Sequence, residues 1–261
     1  MIDPDARAEI LDQAALMARP VARLSPETPL SVDVAYAVQE RLVARRLARG
    51  ERIAGLKLGL TSETKMKQVG VREVILGRLT DAMQHDEGSS IDLGRLIHPR
   101  IEPEIAFLLR RPLPPDPSQA EVQVCVEAVA PALEIIDSRY EGFRFDLGDV
   151  IADNASSAGF VLGRLHPPET DTGDIAITLA LSGEVRETGS SAAILGRPLN
   201  ALAAAARIAA ARGISTSPGD IVLAGAATAA VPLSARTRVI ADFGPLGRME
   251  IRADGPGERE N

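Results

Sequence analysis

Apolar positions fall first at helical spacing and then, from about residue 51, at the every-other-residue spacing of strands. "DARAEILDQAALMARPVARL" (5–24) repeats its apolar residues three and four apart, with Pro20 set to end or kink the helix. "SVDVAYAVQERLVARRLARG" (31–50) opens on a Ser31 or Asp33 cap and stops at Gly50. Strand signals follow in "RIAGLKLGLTS", "PRIEPEIAFLL", "PALEIID", "GFVLG", "DIAITLALSGEVRE", "DIVLAG" and "RVIADFGPLGRMEIRA", each bounded by Gly, Pro or Asp. Two helices interrupt them: "SQAEVQVCVEAVAPA" (118–132), and "RPLNALAAAARIAAARG" (197–213) with Pro198 in its first turn and Gly213 at its end. Strands in irregular alternation with few helices predict an α+β fold on a mixed sheet or roll, not a doubly wound one. Residues 1–50 form an N-terminal helical region, 51–252 the β-rich domain, and 253–261 ("ADGPGEREN") a disordered tail.

The 261 residues allow one large domain with a helical appendage, and 45% hydrophobic with 25% charged residues is ordinary for a soluble globular chain. A net charge of −7 and the lack of a Lys/Arg block argue against nucleic-acid or anionic-membrane partners. "ARRLARGER" reads as the solvated end of a helix. Cys125 is the single cysteine; it forms no internal disulfide and reads as a packing residue in a reducing compartment. "MIDPDARAEI" lacks a signal-peptide core, and no run approaches the roughly 18 apolar residues of a membrane span, so a cytoplasmic protein is expected.

"HPRIEPEIAFLL" (98–109) carries the first candidate chemistry. Ile101, Pro103, Ile105 and Phe107 share one strand face, while Glu102 and Glu104 share the other, roughly 7 Å apart. Two ionised carboxylates at that spacing repel by roughly 2 kcal/mol at an effective dielectric near 20. Glu134 in "PALEIID" has an equally apolar setting. Three such carboxylates suit a hard, oxygen-seeking ion such as Mg²⁺ or Mn²⁺; a solvated strand face is the other reading. In "AGLKLGLTS" Leu56, Leu58 and Leu60 alternate with Gly55, Lys57 and Gly59, so glycines clear bulk on both sides of Lys57. That lysine either meets an anionic ligand or sits on a twisted surface strand. "IADNASSAGFVLG" offers Asp153, Asn154, Ser156 and Ser157, either as carboxylate-binding groups or as an ordinary tight turn. His85, His98 and His166 read as loop residues, and the helix opening near Gly196 reads equally as an anion site or a plain helix entry. No Walker-type loop, HExxH or paired CxxC occurs.

Taken in order, "GLKLGLTS", "QVGV", "GRLTDAM", "HPRIEPEIAFLL", "PALEIIDSR", "DNASSAGFVLG", "LGRPLNALA" and "GDIVLAGA" resemble the 2-keto-4-pentenoate hydratase and 4-oxalocrotonate decarboxylase family of the fumarylacetoacetate hydrolase-like superfamily. The resemblance runs from about residue 30 to residue 250. It implies a β-roll of the fumarylacetoacetate hydrolase C-terminal type and an Mg²⁺ or Mn²⁺ held by Glu102, Glu104 and Glu134. It further implies a catalytic Lys57 near a metal-bound 2-oxo acid. Ile75, Leu58, Asp153, Ser156 and Ser157 are expected to bind the substrate.

Hydratases of this family carry an acid after the "GV" segment. Here that stretch is "GVREVILG" and the position falls on Ile75, as in the decarboxylases, with Glu73 the nearest acid. "LTSETKMKQVGV" and "IIDSRYEGFRFDLGDVIADN" also look more like the decarboxylases. The implied reaction is loss of CO₂ from 4-oxalocrotonate (2-oxo-3-hexenedioate), giving 2-hydroxypenta-2,4-dienoate in meta-cleavage aromatic catabolism. The sister hydratase is the runner-up. Acylpyruvate or fumarylacetoacetate hydrolysis lacks its N-terminal histidine, since none precedes His85, and a non-catalytic partner subunit conflicts with an intact Glu102, Glu104, Glu134 and Lys57. A small 2-oxo dicarboxylic acid substrate, a homo-oligomer and a complex with the sister hydratase are the implied partners.

Overall fold

The chain starts with the helices that the apolar spacing predicts. The computed structural model describes residues 3–24, 27–62 and 73–255. Helix α1 spans Pro4–Met17 and α2 spans Val32–Ala48. Asp3 caps α1 by accepting from the Asp5 amide, and Ala18, in the left-handed region, ends it before Pro20 is reached. Ser31, not Asp33, caps α2 through the Val34 amide.

Strands β1 (Ile53–Gly59) and β2 (Ile75–Thr80) pair antiparallel, and the short β3 (Gln84–His85) and β4 (Ser90–Asp92) lead to the long β5 (Arg100–Leu109). Helix α3 (Gln119–Cys125) runs straight into β6 (Val126–Ile136), and α4 (Leu147–Ala152) precedes β7 (Ser157–Leu162). Next come the antiparallel pair β8 (Ala176–Leu181) and β9 (Glu184–Ser190), then helix α5 (Pro198–Ala211). Strands β10 (Ile221–Ala226), β11 (Val231–Pro232), β12 (Thr237–Asp242) and β13 (Arg248–Asp254) complete the order.

Among the described residues, eight strands form one mixed sheet in the order β2-β1-β10-β5-β6-β7-β3, with β11 against the start of β5. Five form a second sheet, β4-β13-β12-β8-β9. This is the α+β arrangement expected. The main core covers the face of the large sheet that carries Leu56, Leu58, Ile101, Ile105 and Leu133, and continues to Ile177, Val239 and Ile251 of the second sheet. The other face carries a smaller cluster of Ala106, Ala130, Ala132, Phe160 and Leu223. Glu102, Glu104, Lys57 and Glu134 lie on that second face, because residues two apart on a strand point the same way.

One expected helix is cut short. Residues 118–132 are helical only to Cys125, and β6 then pairs with β5 from Leu109↔Val126 to Arg100↔Ile136. Proline inside a helix removes a hydrogen bond and clashes with the preceding turn, so Pro131 forbids the longer helix. Alanine's local preference loses to a strand whose Ala128, Ala130 and Ala132 fill the shallow space beside Ala106. Helix α4, closed by a reciprocal Asp146–Asp149 capping box, was not among the expected elements. Cys125 is buried at the end of α3, with its thiol near the Glu121 carbonyl. Strand β13 includes Ala253 and Asp254 of the expected tail; residues 256–261 lie outside the described residues. No helix among the described residues is long and apolar enough to cross a membrane.

The N-terminal helices brace the sheet. Gln39 of α2 donates to the Leu76 and Ile151 carbonyls, both at 2.9 Å, and the Tyr36 hydroxyl accepts from the Leu76 amide. The two bonds to Leu76 fix β2 next to residue 75.

Candidate metal centre and cavity

Strand register assembles the acids. Glu102 and Glu134 are direct partners across β5 and β6, and Glu104 is one step along, between Ala132 and Ala226. One carboxylate oxygen from each lies within 4.8 Å of the others. Exposure is 4% at Glu102 and 0% at Glu104 and Glu134, so the solvated-face reading of the pair is wrong for this fold. Glu104 accepts from the Gly225 amide at 2.8 Å with one oxygen, while its other oxygen is buried and finds no hydrogen-bond donor among the described residues. Gly225 is required there: its φ is +104°, and a Cβ would sit 2.0 Å from the Thr61 hydroxyl. It lies in an irregularity of the β10–β5 ladder, which turns the amide onto Glu104.

Lys57 joins the group from β1. Its Nζ lies 3.1 Å from each oxygen of Glu134, and the Ser157 hydroxyl donates to the same carboxylate at 3.3 Å. Gly77, opposite Lys57 in the β1–β2 ladder, leaves the space: a Cβ there would meet the lysine's Cγ at 3.1 Å. Among the described residues, three buried carboxylates and one ammonium meet here. Burial, then the charges of Glu134 and Glu102, hold the Glu104 carboxyl well above the ordinary carboxylate range. Burial likewise raises Glu134, with the Lys57 charge opposing it. A divalent cation is the group this donor set fits: all-oxygen, anionic, buried, with a Glu104 oxygen that no described residue pairs.

The centre opens into a cavity of about 600 Å³. Lys57 and Glu102 line it, with Ile75, Ser156, Phe143 and Phe145 among the walls. Ser156 belongs to a run of three residues in the left-handed region: Asn154, Ala155 and Ser156 have φ of 51°, 53° and 57°. Non-glycine residues there cost roughly 1 kcal/mol each or more, so the surroundings must impose the turn. Asn154 does so by bonding both the amide and the carbonyl of Arg78 on β2, at 2.7 and 2.9 Å. The turn delivers the Ser156 hydroxyl into the cavity wall with no hydrogen-bond partner among the described residues.

Two expected substrate contacts are corrected. Leu58 points to the opposite face from Lys57, into the main core, as the two-residue period of a strand requires. Asp153 does not line the cavity: its buried carboxylate accepts from the Arg139 amide and guanidinium, anchoring the turn from behind. Ser157 stands behind Glu134. Ile75 is in the wall, 2% exposed, and Glu73 is exposed on the surface. Residues 63–72, which include "KQVGVR", lie outside the described residues. His98 is outside the acid cluster; its Nδ1 donates to the Ser138 carbonyl at 3.1 Å and its ring packs edge-on to Phe143. His166 bonds the Leu246 carbonyl, and His85 packs beside Gly159. The sequence reading overlooked Gly77, Arg100, Phe143 and Phe145. Arg100 was within its reach, being two residues before Glu102 on the same strand face.

A two-sheet α+β roll with a buried three-carboxylate, one-lysine centre at the foot of a cavity defines a divalent-metal enzyme site for a small anionic molecule. The chain belongs to the fumarylacetoacetate (FAA) hydrolase C-terminal family, whose model matches residues 79–254. It is 47% identical over 248 residues to a 4-oxalocrotonate decarboxylase of a Pseudomonas species, covering 95% of this chain and 97% of that one. The solved 4-oxalocrotonate decarboxylase from Pseudomonas putida G7, complexed with magnesium and adipate, superposes with a TM-score of 0.92 at 38% identity, covering 96% and 97% of the two chains. A 2-keto-4-pentenoate hydratase of Paraburkholderia xenovorans (strain LB400) is 39% identical over 223 residues, covering 84% and 83%.

Proposed function

We propose that this protein is a metal-dependent lyase that decarboxylates 4-oxalocrotonate to 2-hydroxypenta-2,4-dienoate and CO₂. One observation carries the choice of reaction: the buried Ile75 stands in the cavity wall beside the Lys57 strand, where an acid would be needed to direct water. The decarboxylase relatives agree with it, as does the six-carbon dicarboxylate, adipate, in the related magnesium complex.

Glu102, Glu104 and Glu134 would hold the ion, Mg²⁺ or Mn²⁺, which would supply Lewis acidity to the 2-oxo acid end of the substrate. Lys57, 3.1 Å from both Glu134 oxygens, presents its ammonium to the C2 oxygen and donates a proton there as charge builds. In the substrate the C5–C6 bond breaks, its pair moves through the alkene onto the C2 oxygen, and C6 leaves as CO₂. Ser156 donates its hydroxyl to the substrate's C1 carboxylate. Ile75, Phe143 and Phe145 keep water from C5, and a drier wall disfavours the distal carboxylate's charge.

The second reading is the sister hydratase. Glu187 of β9 lines the same cavity and is the acid outside the centre that could orient water among the described residues. Measuring CO₂ release from 2-oxo-3-hexenedioate beside loss of the dienol absorbance decides between them. Rapid dienol loss with no CO₂ overturns the decarboxylase reading. The decarboxylase reading brings a cytoplasmic setting, a step in meta-cleavage catabolism, a homo-oligomer and a complex with a hydratase that consumes the dienol.

A further inference from the structure

A 2-oxo dicarboxylate has two anionic ends, and the metal centre with Lys57 accounts for one. The other end needs a cation that the cavity can spare. Arg100 begins β5 two residues before Glu102, so its side chain leaves the same strand face and enters the same cavity. It is half-buried and forms no ion pair among the described residues. Instead its guanidinium carbon lies 4.0 Å from the centroid of the Phe143 ring.

That ring is itself held in place. Phe145 packs on it at 5.4 Å between centroids, and the His98 ring meets it edge-on. Gly142 and Phe143 both take left-handed backbone, with φ of 64° and 58°. Strain of this kind at a non-glycine residue persists only where the surroundings impose it, and here the result is an aromatic face turned to Arg100. The arginine is thus pre-positioned without being neutralised.

The spacing suits a six-carbon chain. Arg100 sits roughly 7 Å along the strand from Glu102. A six-carbon diacid spans roughly 6–7 Å between carboxyl carbons at bonds of about 1.5 Å. We infer that Arg100 is the residue that reads the distal carboxylate of the substrate, and so selects dicarboxylic over monocarboxylic 2-oxo acids. This rests on the decarboxylase reading and extends it to the group that recognises C6.

A guanidinium fork binds a carboxylate through two parallel hydrogen bonds and fixes its plane. The C5–C6 bond must stand across the plane of the conjugated enone for its electrons to enter the π system, and a carboxylate held at a fixed place achieves that. The pairing vanishes as CO₂ forms, so Arg100 contributes to substrate binding and alignment rather than to stabilising the charge on the C2 oxygen. Glu187, from the second sheet, also lines the cavity, and among the described lining residues Arg100 is the cation besides Lys57.

The test uses the full-length enzyme with Mg²⁺ and two unreactive probes of equal length, 2-oxoadipate and 2-oxohexanoate, titrated by calorimetry. The parent is expected to bind 2-oxoadipate at least tenfold more tightly. In Arg100→Gln that preference disappears while 2-oxohexanoate binds as before, and Arg100→Lys retains part of it. With substrate, Arg100→Gln raises KM tenfold or more and lowers kcat much less. Phe143→Leu, which keeps the charge but frees the arginine, weakens the preference severalfold. Equal loss for both probes makes Arg100 a structural residue, and an unchanged preference removes it from the site; either result overturns the inference. A parent that prefers 2-oxoadipate through Arg100 yet releases no CO₂ overturns the reaction and keeps the residue's role.

Discussion

Lys57 and Glu134 sit on strands separated by two others, β10 and β5, yet the ammonium lies 3.1 Å from both carboxylate oxygens. The pair is buried, at 4% and 0% side-chain exposure. Removing one member therefore leaves the other uncompensated. Lys57→Met takes away a positive charge beside the carboxylates, so Mg²⁺ affinity should hold or rise. Charge on the C2 oxygen then loses its donor, and kcat should fall by about 100-fold or more. Calorimetry of Mg²⁺ binding and steady-state kinetics check both; unchanged kcat removes Lys57 from the mechanism.

Glu104 accepts a hydrogen bond from the Gly225 amide. Glu104→Gln keeps the shape and that hydrogen bond while deleting a charge. Mg²⁺ binding should weaken by at least tenfold, with activity falling alongside. Without metal the variant should melt no lower than the parent, because it removes a carboxylate charge that Glu134 and Glu102 repel. A variant that binds Mg²⁺ like the parent shows that Glu104 is not a ligand.

The raised Glu104 and Glu134 carboxyls set a pH dependence of definite sign. A carboxyl whose folded value lies above its unfolded one keeps its proton longer in the native state. Stability without metal therefore falls as pH rises from the ordinary carboxylate range toward the folded values, by up to about 1.4 kcal/mol per pH unit per group. A cation displaces those protons, so Mg²⁺ affinity climbs over the same range. The gap in Tm between Mg²⁺ and EDTA should widen as pH rises above the ordinary carboxylate range. A constant gap would falsify the assignment of these acids as ligands.

The acid pair and the lysine were legible because strand alternation is a local signal: Glu102 and Glu104 against Ile101 and Ile105, Lys57 against Leu56 and Leu58. The same alternation already placed Leu58 away from Lys57. Asp153 was not legible, since its fate depends on Arg139, fourteen residues earlier and brought back by the fold. The turn at Asn154–Ser156 was visible as a polar stretch, but its handedness comes from Asn154 clasping Arg78 across the sheet. Strand β6 hid behind its alanines, whose helical preference gives way only when β5 supplies partners. The metal-bearing face could be read because it is built from strand period; the cavity walls could not, because loops and distant strands build them.

Gly77 gives a test of the lysine's place. A methyl group at residue 77 would press on the Lys57 Cγ and lie 2.8 Å from the Asn154 carbonyl oxygen. Gly77→Ala should therefore shift both Lys57 and the left-handed turn, lowering kcat about tenfold or more at nearly constant Mg²⁺ affinity, since no ligand moves directly. Parental kcat in this variant means the site tolerates a displaced lysine.

Ile75 separates the two sister reactions. Its side chain is buried in the cavity wall, and its neighbour across the ladder is Gly59, whose missing Cβ leaves the isoleucine room. Ile75→Asp puts a carboxylate where water could be oriented toward the substrate. The new charge repels the distal carboxylate by roughly 1–3 kcal/mol if the two approach within about 5–7 Å at intermediate dielectric. Decarboxylation should fall by about tenfold or more, at about 1.4 kcal/mol per decade. Hydration of 2-hydroxypenta-2,4-dienoate should stay weak, because one carboxylate without its own hydrogen-bonding support does not hold a water in place. Burying an acid here also costs stability, so the variant's Tm and Mg²⁺ binding are measured with its kcat/KM for CO₂ release and for dienol loss. A folded, Mg²⁺-binding variant that decarboxylates like the parent means that Ile75 does not exclude water from the reacting carbons, and the choice of decarboxylase over hydratase loses its structural support.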